Sequence, residues 1–441
     1  MRPFPFLFAA TIMIAVSVFS QQEIMVVMKP RTGYGPFLPG RVLTTSLGKK
    51  PDIKEFPADV IEYVIREIDC QPYNTEYKNM LGYGMTKDEF LRGYKDVSAD
   101  LLSGDNYHHR FFILLGKNQK NEIVVIVDTN QNLSFNDDQV FTFPVLNTIE
   151  KQKKALDSLP SVTIPFEYYN GRYIIKLPTR IELDPYKGSL KYTLADSIEN
   201  KYFLSLRIPG HKTGIFILNK QQYEIFLTNY STGIEYTLKR AALLAATPGT
   251  PRPESKDNPS YAVSDVFSLN GNLFRFTSVS RLGDTVRLAY MGINKRNEGF
   301  AEGYNIPGLQ ANTVTGEKFQ LSALQGKYVL LDFWGTWCQP CIQSIPRLKT
   351  LHDKYKEKNF VLVSVANDNN LDKLKNFVRE NKMDWLQLYQ NEHSKSNETE
   401  LLKSLKISEY PTTILIDPEG KIVLRGKDIE DIDSFLAKTL K

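Results

Sequence analysis

Trp334-Gly335-Thr336-Trp337-Cys338-Gln339-Pro340-Cys341 puts two of the chain's three cysteines one helical turn apart, directly behind the apolar run from Tyr328 to Trp334. The run predicts a buried strand that delivers the motif to the end of a sheet. If a helix begins at Cys338, its thiol lies among unpaired backbone N–H groups at the positive end of the helix dipole, which stabilises thiolate and lowers the pKa from about 8.5 toward about 7 or below. Cys338 is then the nucleophile. Cys341, three residues on and on the same helix face, is placed to attack a mixed disulfide at Cys338 and resolve it. The redox-active element expected is a reversible Cys338–Cys341 disulfide. Asp332 interrupts the apolar strand; a carboxylate buried there has a raised pKa and serves to pass a proton to or from Cys341.

Far downstream, Tyr410-Pro411-Thr412-Thr413 precedes the apolar run Ile414 to Ile416, and a proline at the first position of a strand is tolerated because no ladder donor is needed there. With FWGTWCQPC, with Pro346 five residues after Cys341, and with the turn from Asp417 to Gly420, the segment from about Ile306 onward resembles an extracytoplasmic thioredoxin-fold domain of the TlpA/ResA type. The resemblance implies a cis Pro411 packed beside the cysteines and a substrate surface formed by Trp337, Gln339, Pro340 and Tyr410. It also implies protein disulfides or dithiols as substrates, an upstream membrane electron donor, and no cofactor beyond the disulfide. The acid at Asp332 is like thioredoxin itself, whereas ResA-like proteins carry an amide there and a glutamate in an inserted segment. The matching region here, Asn367 to Asn370, offers Asp368, and Asp332 is favoured over it. Gln339-Pro340 lacks the histidine that makes an oxidant of such a pair, so a reductant is expected.

Other chemistries fit less well. A zinc site needs two further Cys or His ligands, and one other cysteine and five scattered histidines remain. A structural disulfide on a redox-inert scaffold is the plainer alternative. A peroxidatic cysteine needs no second cysteine three residues on. Cys70, left without a partner, reads as a small buried apolar residue.

The N-terminus opens with Met1-Arg2 and an apolar stretch from Phe4 to Phe19, then turns polar at Gln21. Residues 1–20 read as a secretory signal peptide, shorter than a membrane span, so the expectation is a periplasmic or cell-envelope protein of a bacterium with no span after cleavage; an uncleaved anchor is the alternative reading. A chain of 441 residues that is 42% hydrophobic supports two or three packed domains. A net charge of +5 without a basic run argues against nucleic acid as a partner.

The fold class expected is an α/β thioredoxin fold over 301–441, preceded by a β-rich region of one or two domains divided as 21–150 and 151–300. Within 301–441, strands and helices alternate, with helices over Cys338 to Glu357, Leu371 to Asn381, Glu398 to Leu405 and from Ile429. The earlier region carries short Tyr-, Phe-, Ile- and Val-rich runs, among them a hairpin about Asn270-Gly271, and helices are expected from Pro57 to Glu67 and from Lys87 to Asp96. The rival functional reading makes this β-rich region a binding protein and the thioredoxin domain its accessory. One loop there, Asp128 to Asp138, offers Asp128, Asn130, Asn132, Asp137 and Asp138 as hard oxygen ligands for calcium. It resembles the first half of an EF-hand loop, but Leu133 stands where that loop has glycine and Gln139 where it has glutamate. The alternative is an Asx-rich turn.

Overall fold

The computed structural model describes residues 22–39, 42–46, 52–95, 97–186, 202, 204–230, 235–236, 240–249, 260–390, 399–407 and 409–440. The expected signal peptide, 1–20, lies outside them. No helix among the described residues is long and apolar enough to cross a membrane.

From Tyr328 onward the chain alternates strand and helix. Seven strands form one sheet in the order Lys318–Gln320, Gln310–Thr313, Leu386–Gln390, Phe360–Asn367, Tyr328–Trp334, Thr412–Ile416, Ile422–Arg425. The central strand Tyr328–Trp334 runs parallel to Phe360–Asn367 and antiparallel to Thr412–Ile416. Both faces are covered, as strands of continuous Val, Leu and Phe require. One face packs on the helices Gln339–Tyr355, Leu371–Glu380 and Ile429–Thr439 through Leu348, Leu351, Leu374, Ile432 and Leu436; the other meets Leu402 and Leu405 around the short helix Thr399–Ser404. The four expected helices are present within two residues of their expected ends.

The β-rich region forms two sandwiches. In the first, the sheet Thr45–Ser46, Val60–Asp69, Arg110–Asn118, Ile123–Val127, Val140–Phe143 packs on the sheet Val42–Leu43, Ser205–Arg207, Ile174–Asp184, Ser161–Tyr169. A single core runs from Val64 and Phe111 to Ile164 and Leu206, so the expected division at 150/151 falls inside it. In the second, Gln22–Val27 pairs with Thr285–Ile293 and its continuation Lys29–Thr32 with Gly210–Leu218, so one stretch of chain contributes an edge to each facing sheet. Val26 and Met28 sit in the shared core with Phe216, Leu227, Phe274 and Leu288. The Asn270-Gly271 hairpin is present, with both turn residues at positive φ (50° and 74°), the geometry that an Asn-Gly pair accommodates at least cost. The sandwiches are tied together where the Tyr73 and Tyr168 hydroxyls donate to the Glu235 carboxylate.

The expected helix from Pro57 to Glu67 is instead the strand Val60–Asp69, paired with Arg110–Asn118. Its Val64 and Ile68 enter the sandwich core, while Val60 and Ile65 enter a second cluster behind the sheet with Leu114, Ile126 and Phe135. Burial on both faces erases the period-two signature of a strand and leaves apolar spacings that also satisfy a helix. The expected helix from Lys87 is present as Lys87–Gly93 and opens on a capping box, Thr86 with Glu89.

Candidate active site

Cys338 caps the helix Gln339–Tyr355, and its Sγ accepts the Cys341 N–H at 3.2 Å. The two cysteines form a disulfide across Cα atoms 5.3 Å apart. Cys338 N–H donates to Gly335 O at 3.0 Å, and Cys338 O accepts from Ile342 at 3.1 Å, so backbone bonds on both sides fix Cys338 at the helix start. Pro340 lies in the first turn, where a missing N–H costs nothing. Pro346 lies deeper, with no N–H to offer Ile342. Both cysteines are buried, whereas Trp337, Gln339 and Pro340 stand exposed around them.

The motif loop is held from below. Asp368 accepts the Thr336 N–H at 2.7 Å and the Thr336 hydroxyl at 2.9 Å, so the second candidate acid fixes the loop in place. Trp337 Nε1 donates to Asn367 O at 2.8 Å, and its ring meets Tyr410 edge-on at 5.2 Å. Asn367 Nδ2 in turn donates to the Tyr410 hydroxyl at 2.9 Å. Trp337, Asn367 and Tyr410 thus form one rim. Gly335 is required beside it: a Cβ there meets Trp337 Nε1 at 2.6 Å and Asn367 O at 2.8 Å. The Tyr410–Pro411 bond is cis. Phe333 pairs with Thr412, so Pro411 stands one step beyond the ladder, next to Trp334 and the motif.

Asp332 lies beneath. Its neighbours Leu330 and Trp334 share a core with Cys338 and Cys341, while Leu331 and Phe333 face the opposite core, so strand alternation puts the carboxyl on the cysteine face. It is fully buried, and desolvation lifts its pKa from 3.8 to about 7 against a hydrogen bond from Ser364 that pulls it down. Ser364 Oγ donates to Asp332 Oδ2 at 3.0 Å and receives Trp385 Nε1 at 2.9 Å. Ser364, Trp385 and Asn367 were not singled out by the sequence. Ser364 carried a usable signal, since it interrupts an apolar strand as Asp332 does; Asn367 closes its strand and carried none.

The other singled-out residues lie apart from this site. Cys70 is buried in the first sandwich core, where desolvation pushes its thiol pKa well up. In the Asp128–Asp138 loop, Asp128 accepts backbone N–H groups of Asn132 and Leu133, and Asp138 accepts the backbone N–H and the hydroxyl of Thr129. The side-chain oxygens of Asn130 and Asn132 accept the N–H groups of Asn132 and Ser134, which turns both amide nitrogens onto Asp137 Oδ2 at 3.0 and 2.8 Å. Leu133 adopts the left-handed φ of 60° at the position where an EF-hand loop has glycine. Among the described residues no group of three or more His, Cys, Asp or Glu side chains is arranged to hold a metal.

Residues 326–422 match the Thioredoxin-like family. A segment of 173 residues is 30% identical to the thiol-disulfide oxidoreductase ResA of Bacillus cereus, covering 38% of this chain and 96% of that protein. The ResA of Bacillus subtilis is 29% identical over 145 residues, 33% of this chain and 76% of that protein. Among solved structures, the thioredoxin domain of a thiol-disulfide oxidoreductase from Bacteroides vulgatus is 30% identical, with 32% of this chain and 99% of that chain covered and a TM-score of 0.30. With a disulfide capping a helix behind a buried acid, and a ResA relative 30% identical and matched over 96% of its length, the chain belongs through its C-terminal third to the thioredoxin-like thiol-disulfide oxidoreductases of the ResA type.

Proposed function

We propose that this oxidoreductase is exported to the bacterial cell envelope and reduces disulfides of other proteins there. The observation that carries the reading is Asp332, buried on the cysteine face with a pKa near 7, where a proton acceptor for Cys341 is needed. The Cys338 thiolate attacks one sulfur of a substrate disulfide, and the other substrate sulfur leaves as thiolate and takes a proton from water. Asp332 accepts the Cys341 proton, the Cys341 thiolate attacks Cys338 Sγ, and the second substrate sulfur leaves as thiolate. Substrate gains two electrons, and the Cys338–Cys341 disulfide forms. A membrane dithiol donor then returns two electrons. Trp337, Gln339, Pro340, Tyr410 and Pro411 would form the surface the substrate lies on.

Equilibration with a glutathione redox buffer tests the direction of flow. A potential near that of thioredoxin, about −270 mV, is expected because no cation sits between the cysteines to favour thiolate further; a value near about −120 mV, that of the strong oxidant DsbA, makes the protein an oxidant instead.

The Asp128–Asp138 loop reads here as a turn closed by its own hydrogen bonds, since binding calcium requires Asn130 and Asn132 to give up their backbone donors. Addition of 1 mM Ca²⁺ (roughly the affinity range of extracellular calcium modules) is expected to leave Tm unchanged. A rise of several degrees, lost in Asp137→Asn, establishes a calcium site.

A further inference from the structure

Between the second sandwich and the thioredoxin domain lies a cleft of ≈ 560 Å³, within the roughly 300–1,000 Å³ range of ligand sites. One wall is the strand Val266–Leu269, which among the described residues ends its sheet and pairs on one side only, with Asn272–Val279. The two-residue turn makes Leu269 and Phe267 the residues that exchange backbone bonds with their partners, so Val266 and Ser268 aim their N–H and C=O groups the other way, along the wall of the cleft. Ser268 O is taken by the Tyr304 hydroxyl at 3.2 Å. Val266 is 40% exposed, and no described residue bonds its outward main-chain groups. The opposite wall comes from Phe300 and Tyr304 and from the segment Lys403 to Lys406, and an ion pair between Lys406 and Asp265 crosses the floor. Lys406 stands four residues before Tyr410 in the chain, and the Tyr410–Pro411 bond is cis.

An open strand edge takes one kind of ligand well. Extended polypeptide pairs with the outward N–H and C=O of Val266, the stretch of edge that Tyr304 leaves open, and presents alternate side chains to an aromatic wall, while the mixed charges of Asp265, Glu298, Arg275 and Lys403 along the cleft suit polar side chains of either sign. We propose that the cleft seats an extended segment of the disulfide-bearing protein substrate, which adds to Val266–Leu269 as a further strand and leads to the Cys338 face. The β-rich region is thereby a substrate-docking element. This inference rests on the oxidoreductase reading above.

The test uses the full chain in its reduced form, with insulin and bis(2-hydroxyethyl) disulfide as alternative oxidants, following reaction by tryptophan fluorescence. Val266→Pro removes the outward N–H at the first position of an edge strand, where proline is tolerated. Ser268→Trp fills the cleft and stands in if the proline variant fails to fold. Either variant is expected to lower the rate constant for insulin about fivefold, the weight of one main-chain hydrogen bond, with the small disulfide reacting at the wild-type rate. Equal rates with insulin in wild type and both variants overturn the docking proposal while leaving the enzyme intact. A parallel loss with both oxidants also overturns it, because the defect then lies in the cysteines. Wild-type protein inert toward both removes the oxidoreductase reading and, with it, the docking role.

Discussion

Cys338→Ser is expected to abolish insulin reduction with dithiothreitol, a loss on the order of a thousandfold or more, because a hydroxyl at the helix start supplies no nucleophile at neutral pH. Cys341→Ser has a different signature. It retains the thiol at the helix cap, ringed by exposed Trp337, Gln339 and Pro340, and removes the one that resolves the intermediate. That variant should attack once and stop, leaving a mixed disulfide visible as a mass increase equal to the bound substrate chain. The asymmetry follows from position: Cys338 caps the helix and meets the rim, while Cys341 lies in the first turn, on the Asp332 face. Wild-type turnover in both variants would place the activity elsewhere in the chain, and trapping at Cys341 instead of Cys338 would reverse the assigned roles.

The second large effect concerns Asp332→Asn. Attack by Cys338 should proceed nearly unchanged, and resolution by Cys341 should slow about a hundredfold, the lower range for loss of a positioned proton acceptor. Stability moves the other way. The folded pKa near 7 lies above the ordinary 3.8, so the folded protein holds a proton that the unfolded chain has released between those values. The contribution of this carboxyl is therefore fully present below about pH 3.8 and is lost as pH rises through about 7. The shift corresponds to roughly 4 kcal/mol, and Asp332→Asn, which keeps an acceptor for Ser364, should be more stable than wild type by up to about that amount at pH 8. Denaturant unfolding at pH 8 and pH 4.5 measures it. A gap that does not narrow at the lower pH shows that the carboxyl is not strained by burial.

The candidate-site strand, its acid and the helix behind it were legible because each element is locally determined: a continuous apolar run, a single polar interruption, and a proline in the first turn of a helix. The β-rich region was legible as strands and far less as architecture. Strand Val60–Asp69 was misread because its two faces serve different cores. The first sandwich draws Val64 and Leu206 into one cluster, a partnership no local pattern announces. At the site the same distinction holds. Asp332 declared itself by being out of place, whereas the task of Asp368 depends on Thr336, which lies 32 residues earlier on another strand's loop. Asn367 reaches Tyr410 across a similar gap.

Gln22–Val27 pairs with Thr285–Ile293, with Gln22 opposite Tyr290, and the entire first sandwich lies in the interval between them. During synthesis the earliest strand therefore waits for a partner that emerges only after more than half of the chain has been made. Closing so long a loop is slow, because its entropy is lost before any contact offsets it. Until then the second sandwich has an open edge and an uncovered core, the kind of surface through which partly folded chains associate. On the export proposed above, the same delay keeps the chain longer in the unfolded state that a translocation pore admits.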